Sequence, residues 1–150
     1  MRVDLGFKIL GIAVGSVIVG WFLQDLLLQY TIPNDKTRED WIEIYLTAML
    51  ILLAFSLLIS LVWYVYGRWL LSVRSVMESN QRNLWVIFFF IILVASGGVA
   101  YYISIYTQEG KVWVYSVFAY LGVSSFYLET LFGSPASLKY NVPLAVYVRR

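Results

Sequence analysis

The chain has no cysteine and no histidine. Without cysteine there is no disulfide, no thiolate metal site and no thiol nucleophile. Without histidine it lacks the side chain that titrates near neutral pH, the commonest general base, and the imidazole that holds haem, chlorophyll or a transition metal. A Ser-His-Asp arrangement is excluded as well. Charge is scarce too. Only 13% of the residues are Asp, Glu, Lys or Arg, about half of the roughly 25% usual in a soluble domain. The net charge of +2 is too small to point to a nucleic-acid partner. These absences leave no metal cluster, no cofactor and no catalytic set to expect, so the chain reads as a non-enzyme.

What is abundant is apolar sequence, 61% of 150 residues. Four runs, residues 9–30, 41–66, 84–106 and 112–132, each reach the length of about 20 residues that a spanning helix needs. In hydrocarbon the backbone has to satisfy its own hydrogen bonds, and a single span does this as a helix. The alternating pattern of a membrane strand is absent. The expected fold is therefore an all-α integral membrane protein, one domain with four transmembrane helices in two antiparallel hairpins. The first run continues past a weakly basic start without an A-x-A-like site, so it is expected to be a retained helix rather than a cleaved signal. Residues 31–40 carry Pro33, Asn34 and Asp35, a turn composition, and Thr37 with Asp40 has capping-box-like spacing. Residues 107–111, TQEGK, form a tight link that makes the third and fourth helices antiparallel neighbours.

Lysine and arginine near helix ends orient a membrane protein. One side collects Arg2, Lys8, Arg68, Arg74, Arg82, Lys139, Arg149 and Arg150, and the other Lys36, Arg38 and Lys111. This bias puts both termini and the central loop in the cytoplasm of a plasma or inner membrane. Tyr30, Trp41, Tyr45, Tyr106 and Trp113 fall at the outer border, and Trp63, Tyr66, Trp69 and Trp85 at the inner one, as an aromatic belt would.

The central loop, residues 67–83, is basic and amphipathic. Trp69, Leu70, Val73, Val76 and Met77 share a helical face, and Arg74 and Glu78 sit at i, i+4. The second helix is therefore expected either to continue past the membrane or to bend into a surface helix, and the segment either lies at the headgroups or docks a cytoplasmic partner. The tail, residues 133–150, has Gly133 and Ser134-Pro135 as a helix stop and restart. Val142, Leu144, Val146 and Val148 then alternate, interrupted by Pro143. It reads either as a membrane-surface segment held by Arg149 and Arg150 or as an extended segment docked on another subunit. The expected partner face on the cytoplasmic side is Arg68, Trp69, Val73, Arg74, Met77, Arg82, Leu144, Val146, Arg149 and Arg150.

Inside the membrane the sequence offers two kinds of feature. Small residues let helices approach closely in lipid. They occur as Gly11, Gly15 and Gly20 in the first helix and as Ser96, Gly97 and Gly98 in the third. They are expected to pack helices, either within the chain or between subunits. Polar residues are the second kind. Asp25, flanked by Gln24, has already reached the outer interface, or is a proton- or cation-coupling group, or makes an intersubunit hydrogen bond. Glu129 is expected to make an ion pair at the inner interface with Arg68, Arg74, Arg82 or Lys139. The isolated serines are expected to bond back to their own helices. Taken together, these features lead to the expectation of a small non-catalytic subunit that scaffolds a larger membrane complex, with the lipid bilayer and other membrane subunits as partners. The competing expectation is a small oligomeric transporter or channel using Asp25.

Overall fold

The computed structural model describes residues 3–33, 38–72, 78–134 and 142–143. Over these the chain is all-α apart from one short ladder. The elements are α1 (Val3–Tyr30), β1 (Ile32–Pro33), α2 (Arg38–Ser72), α3 (Glu78–Ser104), β2 (Thr107–Glu109) and α4 (Lys111–Gly133). Three helices are long and apolar enough to cross a membrane, over Gly6–Tyr30, Glu39–Tyr66 and Asn83–Ser104. The fourth, α4, is not among them, because it mixes serines, tyrosines and Glu129 with its apolar residues. Its position explains the composition. Helix α4 packs against α1, α2 and α3, and α1 and α3 lie to either side with no comparable contact between them. A helix covered by its neighbours can carry polar groups that a lipid-facing helix cannot.

The helices run alternately up and down. Ile9 near the start of α1 meets Gly133 at the end of α4. Trp63 of α2 and Trp85 of α3 reach the same end of α4, at Ser134 and Thr130. We call this the terminal end. At the opposite, link end, β1 and β2 pair antiparallel, with Ile32 opposite Glu109 and Pro33 opposite Thr107 across an irregular register. Pro33 is tolerated because the ladder is all edge. Gly110 adopts φ 81 with the Tyr30 carbonyl against it, leaving no room for a Cβ. The TQEGK link is thus not only a tight turn. It joins the two hairpins to each other.

The structure moves two boundaries. Residues 67–72 continue α2 and residues 78–83 begin α3, so both ends of the expected loop over 67–83 are helical, and residues 73–77 lie outside the described residues. A helix satisfies its own backbone on either side of a membrane border and does not have to stop there. The aromatic belt also needs correction. Trp41, Tyr45, Trp63 and Trp85 are buried in the bundle. Each indole finds an acceptor inside. Trp41 Nε1–H donates to Thr107 Oγ1 (3.4 Å), Trp63 Nε1–H to Ser134 Oγ (2.9 Å) and Trp85 Nε1–H to Thr130 Oγ1 (3.1 Å). A satisfied indole needs no headgroup region. Tyr30 and Trp113 do lie at the surface, stacked at 4.7 Å between ring centroids.

Two apolar cores fill the bundle. Trp41, Tyr45, Met49, Leu52 and Phe118 anchor the core at the link end. Trp63, Trp85, Ile92, Phe126, Leu131 and Val142 make the one at the terminal end. Val142 belongs to the tail, so the chain folds back onto the bundle there, and the Tyr127 hydroxyl donates to the Pro143 carbonyl. Neither tail reading, on the membrane or on a partner, holds for Val142 itself. Its side chain lies inside its own chain.

Candidate functional site, a buried carboxyl held by serines

Residues four apart share a helix face. Ser56 and Ser60 are so placed on α2, and Ser125 and Glu129 on α4. Packing α2 on α4 turns these two short polar stripes toward each other. The Ser60 hydroxyl donates to Glu129 Oε2 at 2.6 Å, Ser56 to the same oxygen at 3.3 Å, and Ser125 to Oε1 at 2.9 Å. Glu129 is fully buried. A buried carboxyl is costly unless its oxygens are hydrogen-bonded. Here both oxygens accept, and the donors come from two helices.

This cage continues as a polar seam down α4. Thr130 Oγ1 accepts from Trp85 and donates to the carbonyls of Phe126 (2.9 Å) and Tyr127 (3.1 Å). The Ser134 hydroxyl accepts from Trp63 and donates to the Thr130 carbonyl. One turn in the other direction, Gly122 faces the Ser96 hydroxyl so closely that a Cβ there would collide with it. Ser96 itself donates to the Ile92 carbonyl at 2.8 Å. The whole seam consists of hydroxyls, indoles and one carboxyl, with each polar group engaged by another.

Among the described residues the partners of Glu129 are Ser56, Ser60 and Ser125. The expected ion pair concerns Arg68, Arg74, Arg82 and Lys139, whose side chains lie outside the described residues. The expectation for isolated hydroxyls also divides. Ser96, Ser104 and Ser116 bond back to their own helices, whereas Ser56, Ser60 and Ser125 bond to Glu129. The signal for the cage was present in the sequence as two i, i+4 pairs, Ser56/Ser60 and Ser125/Glu129. What no single segment carries is that the pairs face each other.

The other sequence candidates are dispersed. Gly20 packs against Met49, and its carbonyl accepts the Tyr45 hydroxyl at 2.9 Å. At Gly11, Gly15, Gly97 and Gly98 a Cβ would meet nothing within 4 Å, so close helix approach inside the chain does not account for these four. Gln24 is buried with its Oε1 unpaired among the described residues, whereas its neighbour Asp25 is exposed. Arg68 and Trp69 lie in α2 and Arg82 in α3, with their side chains outside the described residues. Val73, Arg74, Met77, Leu144, Val146, Arg149 and Arg150 lie outside them altogether.

Among the described residues no three acidic side chains come together to hold a metal ion. The Ser–Glu contacts are direct, leaving no space between donor and acceptor for an ion. Neither the groove between α1 and α4 nor that between α2 and α3 reaches the cage. No protein-family model, no curated protein and no solved structure matches the chain.

Proposed function

We propose that this chain is a small non-catalytic membrane subunit that stabilises a larger membrane assembly. It would cross a plasma or inner membrane four times, with both ends in the cytoplasm, and meet its neighbours through outward helix faces and its cytoplasmic surface. The orientation rests on the excess of lysine and arginine at the terminal end. α4 would be the fourth span, its polar side chains covered by the other three helices.

The observation that carries this reading is the outward face of α1. At 100° per residue, Gly11, Gly15, Ile18, Phe22, Asp25 and Gln29 fall in one stripe. Ile18 and Phe22 are 53% and 70% exposed. Gly11 is exposed and Gly15 borders the groove between α1 and α4, and a Cβ at either would meet nothing within 4 Å. In lipid, a stripe with small residues in one half and polar residues in the other is better suited to a neighbouring helix than to acyl chains. The interior supports the same reading. The polar groups of the Glu129 seam close on one another and tie α2 and α3 to α4, as an architectural seam does.

Extraction of the tagged protein in mild detergent tests the proposal. Stoichiometric co-purification with larger, unrelated membrane subunits is expected, and Gly15→Leu should reduce it. A pure homo-oligomer that conducts protons or cations in liposomes, with flux lost in Asp25→Asn, would overturn the proposal and make Asp25 the coupling group of a small transporter.

A further inference from the structure

A groove of about 470 Å³ opens between α2 and α3 in the half of the bundle nearer the link end. It is kept open by small residues. A Cβ at Gly98 would meet nothing within 4 Å, and Ala48 faces it from α2. The lining is graded along its length. Toward the middle of the bundle it is Ile51, Ala48 and Gly98. Toward the link end it is Thr47, Glu43 and Tyr102. The two sides of the groove match here, because one turn from Thr47 toward the link end leads to Glu43 and one turn from Gly98 leads to Tyr102.

An apolar slot with a carboxylate at one end, open sideways to the bilayer, has the polarity profile of a lipid. Its volume lies within the range of small-molecule sites. It is too small for a helix, whose diameter with side chains is about 10–12 Å. Glu43 is exposed at the mouth, and no ion pair joins it to another described residue. A carboxylate in that position favours a cationic headgroup and disfavours an anionic one.

We propose that the α2–α3 groove binds one membrane lipid bearing a protonated amine, with the ammonium against Glu43 and an acyl chain laid over Ala48, Ile51 and Gly98. The site depends on the chain lying in a membrane but not on its being a scaffold, so it stands or falls separately from the assembly proposal. Gly98, which packing within the chain does not explain, then has a physical reason. The glycine in the slot leaves the space that a lipid fills.

The test uses the full chain in detergent and in nanodiscs, with phosphatidylethanolamine and phosphatidylglycerol as probes, read by native mass spectrometry. The expected result is one phosphatidylethanolamine retained per chain in preference to phosphatidylglycerol. Glu43→Gln should lower that preference about fivefold, the scale of an exposed ion pair, while leaving some retention of both lipids. Gly98→Leu should fill the slot and abolish retention of either. Ile51→Phe provides a second way to fill it, with circular dichroism checking that each variant is folded. Equal retention of the two lipids by the unaltered protein would overturn the proposal, as would retention unchanged in folded Gly98→Leu and Ile51→Phe. So would loss of a protein partner, rather than of lipid, in those two variants.

Discussion

Helices α4 and α1 both contain glycines, and Gly11 and Gly15 of α1 do the opposite of Gly122 and Gly133 of α4, while Gly20 of α1 packs inward against Met49. In α4, Gly122 faces the Ser96 hydroxyl and Leu52, and Gly133 faces Ile9. Neither has room for a Cβ. In α1, Gly11 and Gly15 face open space. Burial follows the same division. Only 17% of the apolar window of α1 is buried, against 39% for α2, whereas α4 lies among all three other helices. A helix whose small and polar residues all find partners within the chain is finished by folding. A helix that leaves such residues facing outward has capacity left for something outside the chain. Residue type alone does not distinguish the two cases, because the same glycine serves either.

Five substitutions probe the contrast. The largest loss is expected for Trp63→Ala, which empties a fully buried site and leaves Ser134 without its indole donor. Substitutions of this kind cost about 3–5 kcal/mol, read as a fall in thermal or denaturant midpoint by circular dichroism in one detergent. Gly122→Leu comes next, near the top of the roughly 1–3 kcal/mol range of overpacking, because Leu52 and the Ser96 Cβ would have to move as well as the hydroxyl. Glu129→Ala strips three serine hydroxyls of their shared acceptor. A loss of about 1–3 kcal/mol is expected for groups left unsatisfied in this way. Glu129→Gln keeps the shape and one acceptor oxygen and should lose clearly less. The smallest effect on the isolated bundle is expected for Gly15→Leu, within about 0.5 kcal/mol, because a Cβ there meets nothing within 4 Å and the side chain can extend into the α1–α4 groove, even though it should impair assembly. If Gly15→Leu destabilised the isolated chain as much as Gly122→Leu, the contrast between the two helices would fail.

Much of the architecture was legible before any coordinates. The length of each apolar run located the helices, and near the link end the boundaries agree closely. α1 stops at Tyr30 as expected, and α4 spans residues 111–133 where 112–132 was expected. Apolar length says nothing about where a helix ends in water. The amphipathic face after Trp69 allowed α2 to continue past its apolar run, as it does to Ser72, but nothing signalled the extension of α3 back to Glu78. The inward turn of Trp41, Trp63 and Trp85 was not visible either. A border position predicts a tryptophan at a headgroup only while its N–H has no acceptor in the fold, and those acceptors, Thr107, Ser134 and Thr130, come from distant segments. The Glu129 cage was half legible. Its two polar stripes stand in the sequence, but each serine taken singly is expected to bond its own backbone, and only the packing of α2 on α4 decides otherwise. The ladder of β1 and β2 was out of reach. Two or three residues carry no period, and their pairing is a property of two loops that are far apart along the chain.

That ladder has a consequence for how the molecule is made. It pairs Ile32 with Glu109, so one strand precedes the whole second helix and the other waits for the third. Neither hairpin contains both halves. During synthesis the first hairpin can insert and pack with its half of the ladder unpaired, and the clasp closes only after the second hairpin has arrived in the right position beside it. Contacts this distant in sequence form late, because the intervening chain has to be ordered first. Gly110 then acts as the fitting of the clasp, since any side chain there would press on the Tyr30 carbonyl and hold the two halves apart. A Gly110→Val chain should therefore make both hairpins and fail at their union. Limited proteolysis would reveal this as cleavage in the two links while the helices themselves stay protected.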